Sequence, residues 1–172
     1  METTHERVAT AARLVGGWSE VRAGDHVTRY MRFGTGTGAP VIILVPATPD
    51  ANIWPELFDA LAAGRRVYIP DLPDAEWCFA PRLAAFLDGL GLSSVTLIAP
   101  ASFCVPALEF ALLEPDRLQR LVLVPRGVAE ETGLTGRLTT STPSREISVL
   151  LVRREAETAD AVQMVNEFVA GG

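Results

Sequence analysis

Short apolar runs rich in β-branched residues recur along this chain and constrain its fold more than any other feature. The runs are continuous and are bounded by turn residues, which is typical of strands that are buried on both faces of a parallel sheet. They comprise Val41 to Val45, Arg66 to Ile69, Ser94 to Ile98, Leu121 to Val124 and Ile147 to Val152.

Segments with helical periodicity separate these runs, at residues 53–63, 80–90, 103–113 and 159–170. Strands that alternate with helices imply right-handed crossovers, so we expect an α/β fold with a doubly wound, mostly parallel sheet. Alternating residues 20–33 predict an N-terminal antiparallel hairpin with its turn at 23–25. Residues 127–146 are rich in Gly, Thr and Ser without a clear period, and are predicted to form a loop.

The composition narrows the classes of partner. A length of 172 residues predicts one domain over residues 1–172. All 15 basic residues are Arg, and with 21 acidic residues the net charge is −6, which disfavours nucleic acid and anionic membranes as partners. No secretory signal or membrane span is evident, and the two cysteines fit a reducing compartment, so a cytoplasmic protein is predicted.

One continuous stretch carries a resemblance to a known superfamily. Residues 95–124 are similar, without a gap, to the strand, nucleophile elbow, helix, turn and following strand of α/β-hydrolases, and Glu114-Pro-Asp-Arg-Leu118 is the most specific part. Val41 to Ala47 resembles the strand before the oxyanion loop, and Arg66 to Leu72 resembles the strand after it. The resemblance covers residues 20–152 and implies a small, cap-less, C-terminally truncated α/β-hydrolase fold.

The resemblance also implies a catalytic triad, which is degenerate here. That superfamily places a serine on a strained strand-to-helix turn. The ungapped register puts Ala101 at this position, whereas a slip of one residue puts Ser102 there, between Pro100 and Cys104. We favour the ungapped register and keep Ser102 as a catalytic candidate.

Of the other two catalytic positions, the acid has a counterpart in this sequence and the histidine base does not. Glu157 falls at the position of the acid, but the last strand and the loop that carry the catalytic histidine have no counterpart. His5 and His26 lie in the N-terminal segment and the hairpin, so neither is predicted to serve as the base. Oxyanion donors are backbone N–H groups, and their positions map to Ala47 and Ser102.

Each remaining polar candidate has a structural alternative. We interpret Ser102 either as an acyl acceptor, as a hydroxyl that positions the carbonyl near the oxyanion site, or as the N-cap of the helix that follows it. For Cys104 the two interpretations are a reactive thiolate that the helix dipole stabilises, and a small apolar side chain that is packed in the core. Asp71 lies where a strand ends and is an auxiliary acid, while Asp74 and Glu76 are proton acceptors or solvated loop carboxylates.

Two further sets of residues follow strands or open helices near the same edge. The aromatic set lines a pocket or belongs to the core, and consists of Trp54, Trp77, Phe79 and Phe103. The basic set is Arg126, Arg153 and Arg154, which grip a phosphate such as that of coenzyme A or phosphopantetheine. Alternatively, these arginines pair with Glu130, Glu155 and Glu157.

Together these features lead to an expected function and its alternatives. We expect acyl transfer from a carrier protein or a CoA-type thioester to a thiol or another acceptor in a bacterial biosynthetic pathway. Ester hydrolysis is disfavoured because no histidine is available to activate water. No bound cofactor or metal is expected. The alternatives are a non-catalytic pseudoenzyme that binds a small molecule or protein, and a non-covalent cyclase. An unpaired sheet edge predicts a homodimer.

Overall fold

The computed structural model describes residues 17–45, 54–73, 76–140, 147–153, 156 and 158–171. Seven strands in this part of the chain form one sheet, in the order β1-β2-β4-β3-β5-β6-β7. The strands are β1 (Ser19–Ala23), β2 (His26–Phe33), β3 (Gly38–Ile43), β4 (Arg65–Pro70), β5 (Val95–Pro100), β6 (Leu118–Val124) and β7 (Ser148–Leu151). β2 pairs antiparallel with β1 and β4, and the other neighbours are parallel. The predicted α/β sheet with an N-terminal hairpin is confirmed.

Helices cover both faces of the sheet. They are α1 (Trp54–Ala62), α2 (Glu76–Gly89), α3 (Cys104–Leu113), α4 (Val128–Thr140) and α5 (Thr158–Ala170). Side chains of α2, α3 and α4 share a core with one face, and those of α1 and α5 share a core with the other. Within the described ranges, no helix has the length and apolar character needed to cross a lipid bilayer.

The central strands are buried because both of their faces meet a helical layer. Every residue of β5 is buried, and its successive side chains alternate between the two cores, with Leu97 in one and Ile98 in the other. This two-sided burial explains why the strands appear in the sequence as continuous apolar runs.

The prediction of a loop over 127–146 is wrong for residues 128–140, which form α4. Leu134 and Leu138 lie one turn apart and pack into the core beside α3. Glu130 and Glu131 lie in the first turn, where carboxylates interact favourably with the helix dipole. Gly133 is exposed and tolerated in the helix, so tertiary packing outweighs a weak local propensity. Residues 141–146 lie outside the described ranges.

The glycine-rich loop between β2 and β3 packs backbone against backbone. Gly34 has a φ of +70°, and a Cβ built there would lie 2.0 Å from the carbonyl oxygen of Arg65. A Cβ on Gly36 would lie 2.0 Å from the carbonyl oxygen of Gly64. These glycines therefore serve a close approach between the loop and the turn that follows α1.

The motif that carries the resemblance most specifically has a structural role. Arg117 donates a hydrogen bond from Nη2 to the carbonyl oxygen of Leu92 at 3.2 Å, and the same nitrogen pairs with Oδ1 of Asp88 at 2.8 Å. Because Asp88 lies at the end of α2 and Arg117 immediately precedes β6, this contact fixes the helix against the start of the strand.

Candidate functional site

The turn between β5 and α3 has the strained geometry of a nucleophile elbow. β5 ends at Pro100, and a 3-10 turn over Ala101–Phe103 continues into α3. Ala101 has a φ of +44°, and among the described residues other than glycine it alone has a positive φ. The left-handed conformation costs an L-residue about 1–2 kcal/mol. Ala101 therefore occupies the tip of the elbow, in the ungapped register.

Ser102 follows the tip and is half-buried. The interpretation of Ser102 as the N-cap of the helix is wrong, because Phe103 is the N-cap of α3 and no side chain makes a capping hydrogen bond there or at the 3-10 turn. The Ser102 amide lies in the first helical turn after the strand, where no earlier turn supplies an acceptor. In the α/β-hydrolase fold the residue after the tip supplies one oxyanion donor, so Ser102 stays a predicted donor. Ala47, the other predicted donor, lies outside the described residues.

Cys104 is fully buried in the core and is not positioned as a nucleophile. Its thiol donates a hydrogen bond to the carbonyl oxygen of Ala99 at 3.3 Å. Burial raises the pKa of Cys104 to about 12, and the negative charge of Glu130 contributes in the same direction. The thiol therefore stays protonated at neutral pH, and the interpretation of Cys104 as a dipole-stabilised thiolate is wrong.

The two predicted pocket aromatics that the structure describes belong to the core. Phe79 and Phe103 are 0% and 3% exposed, and their ring centroids lie 5.9 Å apart at a tilt of 48°. They belong to the same core cluster as Leu134 of α4. The interpretation of these two rings as pocket walls is therefore wrong. Trp54 and Trp77 stand in the first turns of α1 and α2, and their side chains lie outside the described part.

The predicted acids are only partly within the described residues. Asp71 follows β4, is half-buried, and donates its backbone N–H to the carbonyl oxygen of Arg29 at 2.8 Å. Asp74 and Glu157 lie outside the described ranges, as does the side chain of Glu76, which begins α2. The structure therefore describes Asp71 at the carboxyl end of its strand, and leaves the roles of these acids as predictions.

The histidine within the described residues does not reach the elbow. His26 begins β2, and β4 and β3 lie between β2 and β5 in the sheet. Strands are spaced at about 4.8 Å, so three steps place His26 roughly 14 Å to the side of the elbow strand. This distance exceeds the reach of a hydrogen bond between a base and a group at Ala101.

Two of the three predicted arginines, Arg126 and Arg153, lie where they were expected, after β6 and β7, and Arg154 lies outside the described residues. The side chain of Arg126 is exposed, and its backbone N–H donates to the Glu130 carboxylate. Arg153 is 71% exposed and pairs through Nε with Oε1 of Glu131 at 3.2 Å. The ion-pair interpretation therefore applies to Arg153, and both cations lie on the side of the sheet where β5 ends.

A cavity that the sequence did not indicate lies between two helices. It has a volume of about 550 Å³ and is lined by α1 and α5. Its polar lining residues are Glu56, Thr158, Gln163 and Asn166. α1 and α5 cover the opposite face of the sheet from α3, so the groove and the helix that follows the elbow lie on different faces.

Several solved structures share the architecture. The carboxylesterase CesB from Bacillus subtilis matches with a TM-score of 0.60 and 18% identity over 72% of this chain and 48% of the esterase. Naproxen esterase from Bacillus subtilis gives 0.59 and 15% identity over 81% and 55%. The meta-cleavage product hydrolase CumD from Pseudomonas fluorescens gives 0.54 and 21% identity over 62% and 44%.

The chain has the α/β-hydrolase fold, as its resemblance implied. It spans about half the length of the structures that it matches. No protein-family model and no curated protein sequence matches the chain.

Proposed function

We propose that this protein uses the elbow of an α/β-hydrolase fold to bind a carbonyl group, in an ester or a thioester, without forming an acyl-enzyme. The observation that carries the proposal is Ala101 at the left-handed tip. A methyl group has no lone pair with which to attack a carbonyl carbon. The nearby thiol of Cys104 is buried and protonated, and it donates a hydrogen bond to the carbonyl oxygen of Ala99.

The retained strain supports a role in binding. A left-handed alanine is unfavourable by about 1–2 kcal/mol, and such conformations concentrate at functional turns. The Ser102 amide lies at the start of a helical segment. The partial positive charge of the helix dipole at this end attracts a carbonyl oxygen. Esters are the ligand class named for two of the matched structures, a carboxylesterase and a naproxen esterase.

A second candidate is direct acyl transfer from a carrier-protein or CoA-type thioester to an external thiol. The position of Arg126 and Arg153 favours it, since both follow strands that end on the side of the elbow. The exposed guanidinium of Arg126 suits the phosphate of a phosphopantetheine arm. The Ser102 amide would stabilise the oxyanion, the acceptor thiolate would attack the carbonyl, and the donor thiolate would leave.

Intact-protein mass spectrometry tests the absence of an acyl-enzyme. The wild type and Ser102→Ala are each mixed with activated aryl esters and acyl thioesters. We expect no stoichiometric mass gain in either protein. A wild-type adduct that is lost in Ser102→Ala would overturn the proposal and establish Ser102 as an acyl acceptor.

Titration calorimetry with the same thioesters and their non-reactive thioether analogues tests binding. Ala101→Val should weaken binding at least about tenfold, because a β-branched residue resists the left-handed turn. Ala170→Val, the same change at an exposed position of α5, should leave binding unchanged. Absence of binding by the wild type would overturn the proposal. Thioester turnover with a thiol acceptor, without an adduct, would select direct transfer.

A further inference from the structure

The groove between α1 and α5 has the size of a small-molecule site. The two helices pack on the same face of the sheet, and the described lining residues of the groove all belong to them. Its volume is about 550 Å³. Sites that hold small molecules typically have volumes of about 300–1,000 Å³. The groove is therefore large enough for a ligand of that size.

Small side chains and a row of half-buried residues give the groove its elongated shape. Ala60 of α1 and Ala159 of α5 line it, and neither side chain extends beyond its Cβ. On α5, Thr158, Val162 and Asn166 are spaced four residues apart and form a row along one side of the helix. At a rise of about 1.5 Å per residue, this row extends over about 12 Å. The groove therefore follows the helix axis and suits an extended ligand.

The two helices run in the same direction, which places different polar groups toward the two ends of the groove. α1 connects the parallel strands β3 and β4, so it runs from the edge where the strands end to the edge where they begin. α5 also ends at the second edge, because Arg120 near the start of β6 donates from Nη1 to the carbonyl oxygen of Val169 at 2.9 Å. Glu56, in the first turn of α1, therefore lies toward one end of the groove, and Asn166, in the third turn of α5, lies toward the other.

The polar lining accepts hydrogen bonds and carries a negative charge. The carboxylate of Glu56 only accepts. Gln163 donates from Nε2 to Oε1 of Glu167 at 2.8 Å, so its carbonyl oxygen is the group left to accept. The sequences of α1 and α5 contain no Arg, Lys or His, so neither helix provides a cation for Glu56. A ligand that is positively charged and donates hydrogen bonds complements this lining.

We propose that the groove binds an aliphatic diamine, a small molecule with an ammonium group at each end of a methylene chain. One ammonium group pairs with the carboxylate of Glu56, and the other donates a hydrogen bond to the side-chain oxygen of Asn166. The methylene chain lies against Ala60 and Val162, which provide apolar surface between these groups. Because Glu56 is exposed, solvent screens its ion pair, and we expect a Kd in the millimolar range. The proposal does not depend on the function proposed for the elbow.

The test is a titration of the ¹⁵N-labelled full chain with cadaverine, a diamine with a pentane chain, followed through the amide chemical shifts. Saturable shifts should appear in α1 and α5 and not in α3. Pentanol and pentanoate have a similar chain with a neutral or an anionic end group, and neither should give saturable shifts. Cadaverine without saturable shifts in α1 and α5 would overturn the proposal. Preferential binding of pentanoate would also overturn it, because the partial positive charges of the helix N-termini would then dominate the groove.

Three variants separate the groove from a general attraction of cations. Glu56→Gln removes the charge at nearly constant size and should raise the Kd of cadaverine about threefold to fivefold. Asp59→Asn is the matched control and should leave the Kd unchanged, because Asp59 is an exposed acid of the same helix and is not among the lining residues. Ala60→Leu fills the groove with a good helix former and should abolish saturable binding.

Circular dichroism and a thermal melt establish that each variant is folded. Equal effects of Glu56→Gln and Asp59→Asn would show that cadaverine responds only to the net charge, and would overturn the proposal. Binding by Ala60→Leu with the wild-type Kd would place the ligand outside the groove and would overturn it as well.

Discussion

The thiol of Cys104 donates a hydrogen bond to the carbonyl oxygen of Ala99 over 3.3 Å, which joins the first residue of α3 to the strand that leads into the elbow. A thiolate cannot donate, so the contact requires the proton. Burial, together with the charge of Glu130, keeps that proton in place by raising the pKa to about 12. Cys104, a secondary nucleophile candidate in the sequence, therefore supports the turn instead.

This raised pKa predicts a loss of stability in alkali. Below pH 9.0, the ordinary thiol pKa, Cys104 is protonated in both the folded and the unfolded chain. Between pH 9.0 and about 12 only the unfolded chain releases the proton, so the free energy of unfolding falls as pH rises. Urea titrations at several pH values should show this slope, and Cys104→Ala should flatten it. Equal slopes in the two proteins would contradict the assignment.

The two cysteines should also differ in reactivity. Cys78 is half-buried in α2, whereas Cys104 is fully buried and protonated. Iodoacetamide at mildly alkaline pH should label Cys78 of the native protein and leave Cys104 unmodified, as measured by peptide mass spectrometry. Cys78→Ala should take up no label until it is unfolded. Rapid labelling of Cys104 in the native protein would contradict the assignment of Cys104 to the buried core.

Ala101 gives the elbow an energetic cost that glycine would remove. Ala101→Gly should raise the free energy of unfolding by about 0.5–1 kcal/mol, because glycine adopts a positive φ without steric strain and loses only part of this gain through its larger unfolded-state entropy. Ala101→Val should be destabilising. Chemical denaturation measures both changes, and a destabilised glycine variant would contradict the left-handed conformation.

The limits of prediction at the elbow have a physical cause. Buried strands and the helices between them follow from apolar patterning, and the resemblance located the strand-to-helix turn. The tip itself was ambiguous, because Pro100, Ala101 and Ser102 are compatible with either register. A backbone angle, which residue type does not determine, places Ala101 there.

The pocket assignment failed for a related reason. Residue type does not distinguish a ring that lines a cavity from one that is packed in a core, and the difference depends on what lies above it. In the structure Phe79 and Phe103 are buried in a core to which Leu134 of α4 also contributes. Among the described side chains of this helix, the apolar ones packed against the core are Leu134 and Leu138, and several glycines and threonines surround them, so the helical period is too weak to be recognised.

The glycine loop provides a stringent test of backbone packing. Gly36→Ala should be strongly destabilising, by about 3 kcal/mol or more, because the new Cβ would overlap the Gly64 carbonyl group and the backbone would have to shift. Gly64→Ala is the matched control, since nothing lies within 4 Å of a Cβ there. It should be neutral or slightly stabilising, by at most about 1 kcal/mol. Denaturant titrations should separate the two variants clearly, and similar effects would show that the loop does not approach the turn.

Arg117 should contribute more to stability than its ion pair alone. Asp88 is 63% exposed, so Asp88→Asn should cost less than about 1 kcal/mol. Arg117→Met also removes the hydrogen bond to Leu92, which leaves a carbonyl group to be satisfied by water, and should cost about 1–2 kcal/mol. Arg117→Ala should be worse still, because the packed aliphatic stem is lost. Methionine, by contrast, keeps an apolar stem and removes Nε, which is buried without a partner among the described residues. Urea denaturation of the three variants should give this order, and an Asp88→Asn effect as large as that of Arg117→Ala would assign the stability to the ion pair instead.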